Sequence, residues 1–405
     1  MATTSSIDEL AEIQCSFSEK RSLERIHKIV EYAKLDPSEL KPTVQSIYFA
    51  ADLDHEDVKL IELDDDVYQS LKKGDRLSIR GEKHEGAVLC TSDKTYNMKE
   101  AETSNSLLLL PTLDIINSDE QEPDVLNRYV QSVKHQYYEL KPCKPKLKKL
   151  KELLEMSPYS GQLHEETSME NVKMYTYDEL LDVIQASEDE LMKALKALQV
   201  CTIDGKMRIL EFDYLSQVLS SLFLLLDEKD WSYDAIPGTH CCEILADLYP
   251  KEVVLHVLNC YSDPVDDVEG AFCFNEHKVC RFHAEILLRH NDKFNFQDFM
   301  KTWNESVPQN MNVDLLQIQG LALIDRNSKP ETITYFPVSE LPENVSERFA
   351  ALFKAKEKWS LDEITPYIVD LSSESCKVSA LLTKNCRTST QNGIKMFSSR
   401  QIIRV

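Results

Sequence analysis

The period of the hydrophobic pattern changes along this chain. Leu23, Ile26, Ile29 and Val30 fall on one face at helical spacing, so the first 35 residues read as an amphipathic helix. From about Val44 to Leu110 the period shortens to two. Leu77 and Ile79 alternate with Ser78 and Arg80, residues 81–86 make a turn, and Ala87–Cys90 forms the next strand. Residues 92–94 turn the chain again into Tyr96 and Met98. These short strands predict a small antiparallel sheet or part of a barrel. The run Leu107, Leu108, Leu109, Leu110 has no polar face and calls for cover on both sides, from a partner chain or from the N-terminal helix. Residues 114–124 read as an acidic surface loop, and 159–171 as a flexible polar connection.

The second half carries an irregular repeat. Tyr175–Leu180, Phe294–Phe299 and Trp359–Ile364 each place an aromatic residue, a small capping residue and then an acid at the third helical position. Thr176 with Glu179, and Ser360 with Glu363, fit the reciprocal capping box. An apolar-faced helix precedes each copy, and a further helix and extended structure follow it. Asp204-Gly205 and Asn392-Gly393 are two-residue hairpin signals. Three helices followed by a hairpin is the winged-helix order. The chain is therefore expected to be α+β, with an N-terminal antiparallel sheet or partial barrel followed by three tandem winged helices. The expected divisions are 1–140 (a β-rich docking module), 141–230 (a basic helix, a linker and the first winged helix), 231–340 (the second) and 341–405 (the third, basic).

Charge separates these copies. The net charge of −23 argues against a general nucleic-acid coat. Yet residues 375–405 hold Lys377, Lys384, Arg387, Lys395, Arg400 and Arg404 and no acid. The third helix of copy one opens Glu188-Asp-Glu190, and that of copy two, near 311–319, has no basic residue. Only the third copy suits DNA, through phosphate contacts with little sequence preference. The first two copies read as protein-binding or spacer modules. The six lysines within 141–151 are either a phosphate patch or the solvated side of a helix that buries Leu147, Leu150, Leu153 and Leu154.

No phosphate loop, G-x-G-x-x-G, G-x-S-x-G or H-E-x-x-H occurs, and only 9 of 405 residues are glycine. No catalytic residue and no cofactor is assigned. Cys273, His277, Cys280 and His283 are zinc-compatible donors, but their separations are too short for a two-knuckle site. Helix packing is the preferred role and no metal is assigned. The aspartates at 64–66 read as solvated loop charge. Eleven scattered cysteines, no secretory signal and no apolar run of membrane-spanning length suggest a soluble intracellular protein without a membrane partner.

Several strings then resemble a known family. They are Leu77–Lys83, Ala87–Cys90, Asp93–Tyr96, Glu102–Asn105, Ala186–Glu190, Arg208–Tyr214 and Gly320–Arg326, and, most closely, Glu357–Trp359, Ala380–Lys384 and Gln391–Lys395. They are similar to the "defective in sister chromatid cohesion" subunit of the alternative replication factor C clamp loader. The resemblance implies an N-terminal composite barrel shared with two partner subunits, the C-terminus of the large ATPase subunit and a small barrel subunit. It further implies winged helices that engage the catalytic subunit of DNA polymerase epsilon and DNA, and an indirect link to the sliding clamp. The expected setting is nuclear chromatin. ATP hydrolysis would reside in other subunits. The alternative is a stand-alone winged-helix transcription regulator, which requires a basic recognition helix in more than one copy.

Overall fold

The computed structural model describes residues 45–49, 58–110, 126–168, 172–265, 270–372 and 377–400 (except 292, 327 and 392), with short pieces between 28 and 36. Most of the expected N-terminal helix lies outside these residues, as does Arg404. Two compact units form: residues 1–146 with 183–190, and residues 147–182 with 191–405. Among the described residues no helix is long and apolar enough to cross a membrane.

The first unit is built on a five-stranded sheet, in the order β2 (Ile61–Glu62), β7 (Ser132–Cys143), β5 (Thr95–Leu109), β4 (Val88–Cys90), β3 (Ser78–Arg80). The period-two stretches become β3, β4 and β5, and these pair antiparallel with one another and with β7. The sheet is not wholly antiparallel, however. β2 runs parallel to β7, and a separate pair, β1 (Gln45–Phe49) and β6 (Leu126–Val130), is parallel as well. Parallel partners need long connections, so no local turn signal announces them. Helix α1 (Asp65–Lys73) covers one face and drops Val67 against Leu89 and Tyr96. The aspartates expected in a loop start this helix: the Asp64 carboxylate accepts the Val67 N–H at 2.8 Å, and Asp65 and Asp66 occupy the first turn.

The segment 183–190 is stitched into this unit by polar groups. Gln185 donates to the carbonyls of Gly86 (2.7 Å) and Arg80 (3.3 Å) and accepts from Lys146 (2.5 Å). The Ser187 N–H donates to Thr95 Oγ1 at 2.9 Å, and that hydroxyl donates to Glu190 at 2.6 Å. Gly81 has φ +152°, and a Cβ there would stand 2.9 Å from Gln185 Nε2, so the crossing needs glycine.

In the second unit one element order recurs: helix, strand, two helical segments, then two strands. It first appears as α6 (Phe212–Glu228), β10 (Ile236–Pro237), α7 (Gly238–Ile244), α8 (Lys251–Tyr261), β11 (Ser262–Pro264) and β12 (Ala271–Phe274). The second copy is α9 (Glu276–Arg289), β13 (Phe294–Asn295), α10 (Phe296–Ser306), a 3-10 turn at Leu315–Ile318, β14 (Ala322–Asp325) and β15 (Thr332–Tyr335). The last is α11 (Val345–Ala355), β16 (Lys358–Ser360), α12 (Leu361–Ile364), α13 (Val378–Asn385), β17 (Cys386–Gln391) and β18 (Ile394–Ser399). In all three sheets the last strand lies in the middle, paired antiparallel on both sides. Before them, α4 (Tyr177–Val183) and α5 (Glu188–Ala197) lead into the hairpin β8 (Val200–Ile203) and β9 (Lys206–Ile209), turned at Asp204 and Gly205 with positive φ. Residues 212–274 thus form a copy that the aromatic–cap–acid signature does not mark.

The capping boxes form. Thr176 and Glu179 exchange bonds of 2.7 and 3.2 Å, and Ser360 and Glu363 exchange bonds of 3.0 and 3.3 Å. Trp303, in the helix that the second signature opens, and Trp359, which begins the third signature, are fully buried. The first donates its indole N–H to the Cys280 carbonyl and the second to that of Lys356. Burial alone would push the Glu363 carboxyl up. The Lys356 ammonium at 2.7 Å and the Ser360 N–H outweigh it and hold the carboxyl below its ordinary value. A carboxyl depressed in the fold stabilises above its unfolded pKa, and that contribution disappears as pH falls through the folded value. Glu363→Gln is therefore expected to lower the melting temperature at neutral pH and to match the parent in acid, once the pH lies below the depressed folded value. Thermal melts across that range check this.

A buried arginine accounts for one departure from the sequence reading, and a second repeats its arrangement. Residues 159–171 are not simply a polar connection, since Gln162–Ser168 forms helix α3. The reason is tertiary: Arg208, almost fully buried, takes Glu165 in a bidentate pair at 2.6 and 2.7 Å, and its Nε donates to the Ser157 carbonyl at 2.8 Å. Arg348, 2% exposed, does the same in the last repeat. It donates to Asp370 at 3.0 and 3.3 Å and to the carbonyls of Tyr367 (2.9 Å) and Pro342 (2.5 Å). Arg348→Ala strands those carbonyls and is expected to cost this repeat about 2–4 kcal/mol. Hydrogen exchange in peptides from 345–371 should speed up accordingly; unchanged protection would sink this assignment.

The lysine run divides. Lys141 ends in β7, paired with Glu139 at 3.0 Å, while Lys148–Glu155 forms helix α2 with Leu150 and Leu154 buried. Lys148 pairs with Glu152 and Lys151 with Glu155 along its solvated side. The four zinc-compatible residues go to different neighbours. Cys273 meets Asp234, Cys280 is buried and donates to the Asn312 carbonyl, the His283 ring lies against Phe223, and His277 is exposed. Burial pushes the Cys280 thiol up to about 11 and keeps His283 neutral to lower pH. Among the described residues no group of three or more His, Cys, Asp or Glu is placed to hold a metal ion.

Candidate nucleic-acid interface

Helix α13 turns Leu381 and Leu382 into the core of the last repeat and leaves Ser379, Ala380, Thr383 and Lys384 exposed. Lys377 stands at its N-cap, seven residues before Lys384. That separation returns to the same helix face about 10 Å along the axis. Lys384 in the final turn sits where the helix dipole favours a cation. The Arg400 guanidinium reinforces that end by donating to the Lys384 carbonyl at 2.8 Å.

Strand register places the remaining charges. Arg387 lies opposite Ser398 near the base of the β17–β18 hairpin, and Lys395 lies opposite Thr390 near its tip. Arg387 falls on the outward face. Lys395 shares the other face with the buried Phe397, and its ammonium stands 5.5 Å from that ring. The structure thus gathers Lys384, Arg387 and Arg400 where α13 meets the hairpin, and leaves Lys377 and Lys395 at separate margins. All five are exposed, and among the described residues none is paired with a carboxylate. Exposed cations flanked by the small or hydroxyl side chains of Ser379, Ala380 and Thr383 can approach a phosphate backbone closely and supply no carboxylate to repel it.

The second sequence-derived site lies in the first unit. Leu107 and Leu108 are 37% and 46% exposed at the end of β5, and Leu109 and Leu110 are half-buried. Beside them, the Gln131 N–H donates to the Leu109 carbonyl at 3.0 Å and joins this end to β6. There the β1–β6 pair adds residues that the sequence reading missed. Ile47, Tyr48, Phe49 and Tyr129 are each at least half exposed, and the Tyr48 and Tyr129 rings lie 5.8 Å apart. The signal was present, since Ile47-Tyr-Phe49 puts apolar residues on both faces of one strand, just as Leu107–Leu110 does. Exposed apolar side chains of this number are a common feature of surfaces that take part in protein–protein contacts.

Comparison with known proteins gives a consistent result. The model of the family "Sister chromatid cohesion protein Dcc1" matches residues 58–368, which take in the five-stranded sheet and the repeats as far as α12. The chain is 42% identical to the sister chromatid cohesion protein DCC1 of Xenopus laevis over 386 residues, covering 94% of this chain and 99% of that protein. It is 41% identical to the Homo sapiens protein of the same name over 391 residues, 95% and 100% of the two chains. It is 23% identical to the Saccharomyces cerevisiae one over 340 residues, 74% and 84%.

Proposed function

This chain belongs to the Dcc1 family of sister chromatid cohesion proteins, and from that premise we propose that it is a non-catalytic subunit of an alternative clamp loader. The N-terminal unit docks two partner subunits, the C-terminus of the large ATPase subunit and a small barrel subunit, which complete its sheet as a composite barrel. The recurring repeats are winged helices; their element order and central last strand support this reading. The last one holds DNA through its phosphates, single- or double-stranded, without strong sequence preference. The earlier ones face protein, including the catalytic subunit of DNA polymerase epsilon. The protein acts at replication forks in the nucleus, where it helps to load or unload the sliding clamp.

The observation that carries the docking role is the exposed apolar end of β5 beside β1 and β6. Co-expression of the full chain with the two partner subunits tests it. A monodisperse ternary complex supports the role, and a full chain that stays monodisperse alone and ignores both partners opposes it. The other third helices lack an acid-free basic face: α5 sets Lys193 and Lys196 behind three opening acids, and the one lysine of Lys251–Tyr261 is followed directly by Glu252. A stand-alone transcription regulator would need more than one basic copy.

A further inference from the structure

The second unit contains a groove of about 880 Å³ bounded by helix α3, the tip of the β8–β9 hairpin, helix α6 and the turn that joins α7 to α8. Its floor is aromatic. Tyr214 is met edge-on by Tyr159, with ring centres 5.4 Å apart, and by Tyr249 at 5.9 Å. Leu163, on the α3 wall, is 82% exposed, and Leu248, on the turn, is 67% exposed. A soluble chain gains nothing by presenting two leucines to water around an aromatic floor, so this surface resembles the apolar centre of an interface.

Charge identifies the occupant. The lining cations are already engaged: Arg208 is held by Glu165, and Lys206 lies 3.5 Å from Glu179. Glu166, Asp204, Asp247 and Glu252 also line the groove, are exposed, and pair with no cation among the described residues. An anionic ligand is repelled here, and a neutral apolar one leaves the carboxylates unanswered. We infer that this groove docks a basic amphipathic segment of a partner protein, whose apolar side chains pack between Leu163 and Leu248 while flanking lysines or arginines answer the four carboxylates. The inference deepens the reading of the earlier repeats as protein-binding and is independent of the DNA face.

The test uses the full chain and a fluorescein-labelled synthetic peptide with leucine and lysine at helical spacing. Its anisotropy is compared with that of a peptide carrying serine for each leucine. Tight binding of the leucine peptide is expected, with the serine peptide weaker by about tenfold. Leu163→Ala with Leu248→Ala should weaken the leucine peptide by about tenfold, and both positions are exposed enough to leave folding intact. Asp204→Asn with Asp247→Asn should weaken it several-fold and flatten its salt dependence. A control pair in the first unit, Asp65→Asn with Glu100→Gln, should change nothing. The inference is overturned if this control pair weakens binding as much as the groove pair, since attraction would then be diffuse. Indifference to the leucine substitutions overturns it too, as does absence of binding. None of these outcomes bears on DNA contact, which is read with different variants.

Discussion

Reversing Lys384 and Arg387 together to glutamate is expected to remove most of the DNA affinity of this chain while leaving its fold and its partner assembly unchanged. Both side chains are exposed and lie where α13 meets the hairpin, the region that Arg400 also reaches. Each phosphate contact contributes about −0.9 to the slope of log affinity against log salt, so losing two should flatten the slope by about two. Reversal adds repulsion, and the fall at low salt should be on the order of 100-fold. Lys377→Glu, at the far end of α13, should do less. The check is a salt titration of duplex and single-stranded oligonucleotides against the full chain. A parent slope near zero, or a double variant that binds like the parent, would reject electrostatic DNA contact by the last repeat.

The second large effect is expected in the first unit. Phe49→Glu with Leu108→Glu places two charges in the apolar surface that β1, β6 and the end of β5 expose. Anchors of this kind typically contribute 2 kcal/mol or more each, so the pair should weaken assembly with the partner subunits by about 100-fold or more. Both positions are about half exposed, so the monomer should lose little stability. Sedimentation of the co-expressed subunits reads the effect. An intact complex at unchanged concentration dependence would move the docking surface elsewhere.

What the sequence disclosed, and what it withheld, follows the range of the interactions involved. Capping at Thr176 and Ser360 and the turn at Asp204-Gly205 depend on neighbours within four residues, so they could be read and they form. The pairings β1–β6 and β2–β7 join residues more than 70 positions apart and left no local mark. Helix α3 escaped notice because it depends on the buried Arg208, whose burial no local pattern reveals. The repeat over 212–274 lacks the signature of the others. Its first strand has two residues, and its second helix starts at Gly238, where a Cβ would stand 2.5 Å from the Phe272 ring. The basic face was legible as an absence of acids. Its geometry was not, because only the strand register separates Arg387 from Lys395. The exposed leucines of β5 were legible as a run without a polar side, whereas their neighbours in β1 became visible only once β6 was placed beside them.

The most direct measurement is hydrogen–deuterium exchange of the full chain, alone and with the two partner subunits. Peptides covering 45–49, 107–110 and 126–130 are expected to gain strong protection on assembly, while those covering 377–400 remain as exposed as before. Unchanged exchange at the first three segments, with protection appearing in the last repeat instead, would contradict a subunit that docks through its N-terminal sheet and keeps its basic face free for DNA.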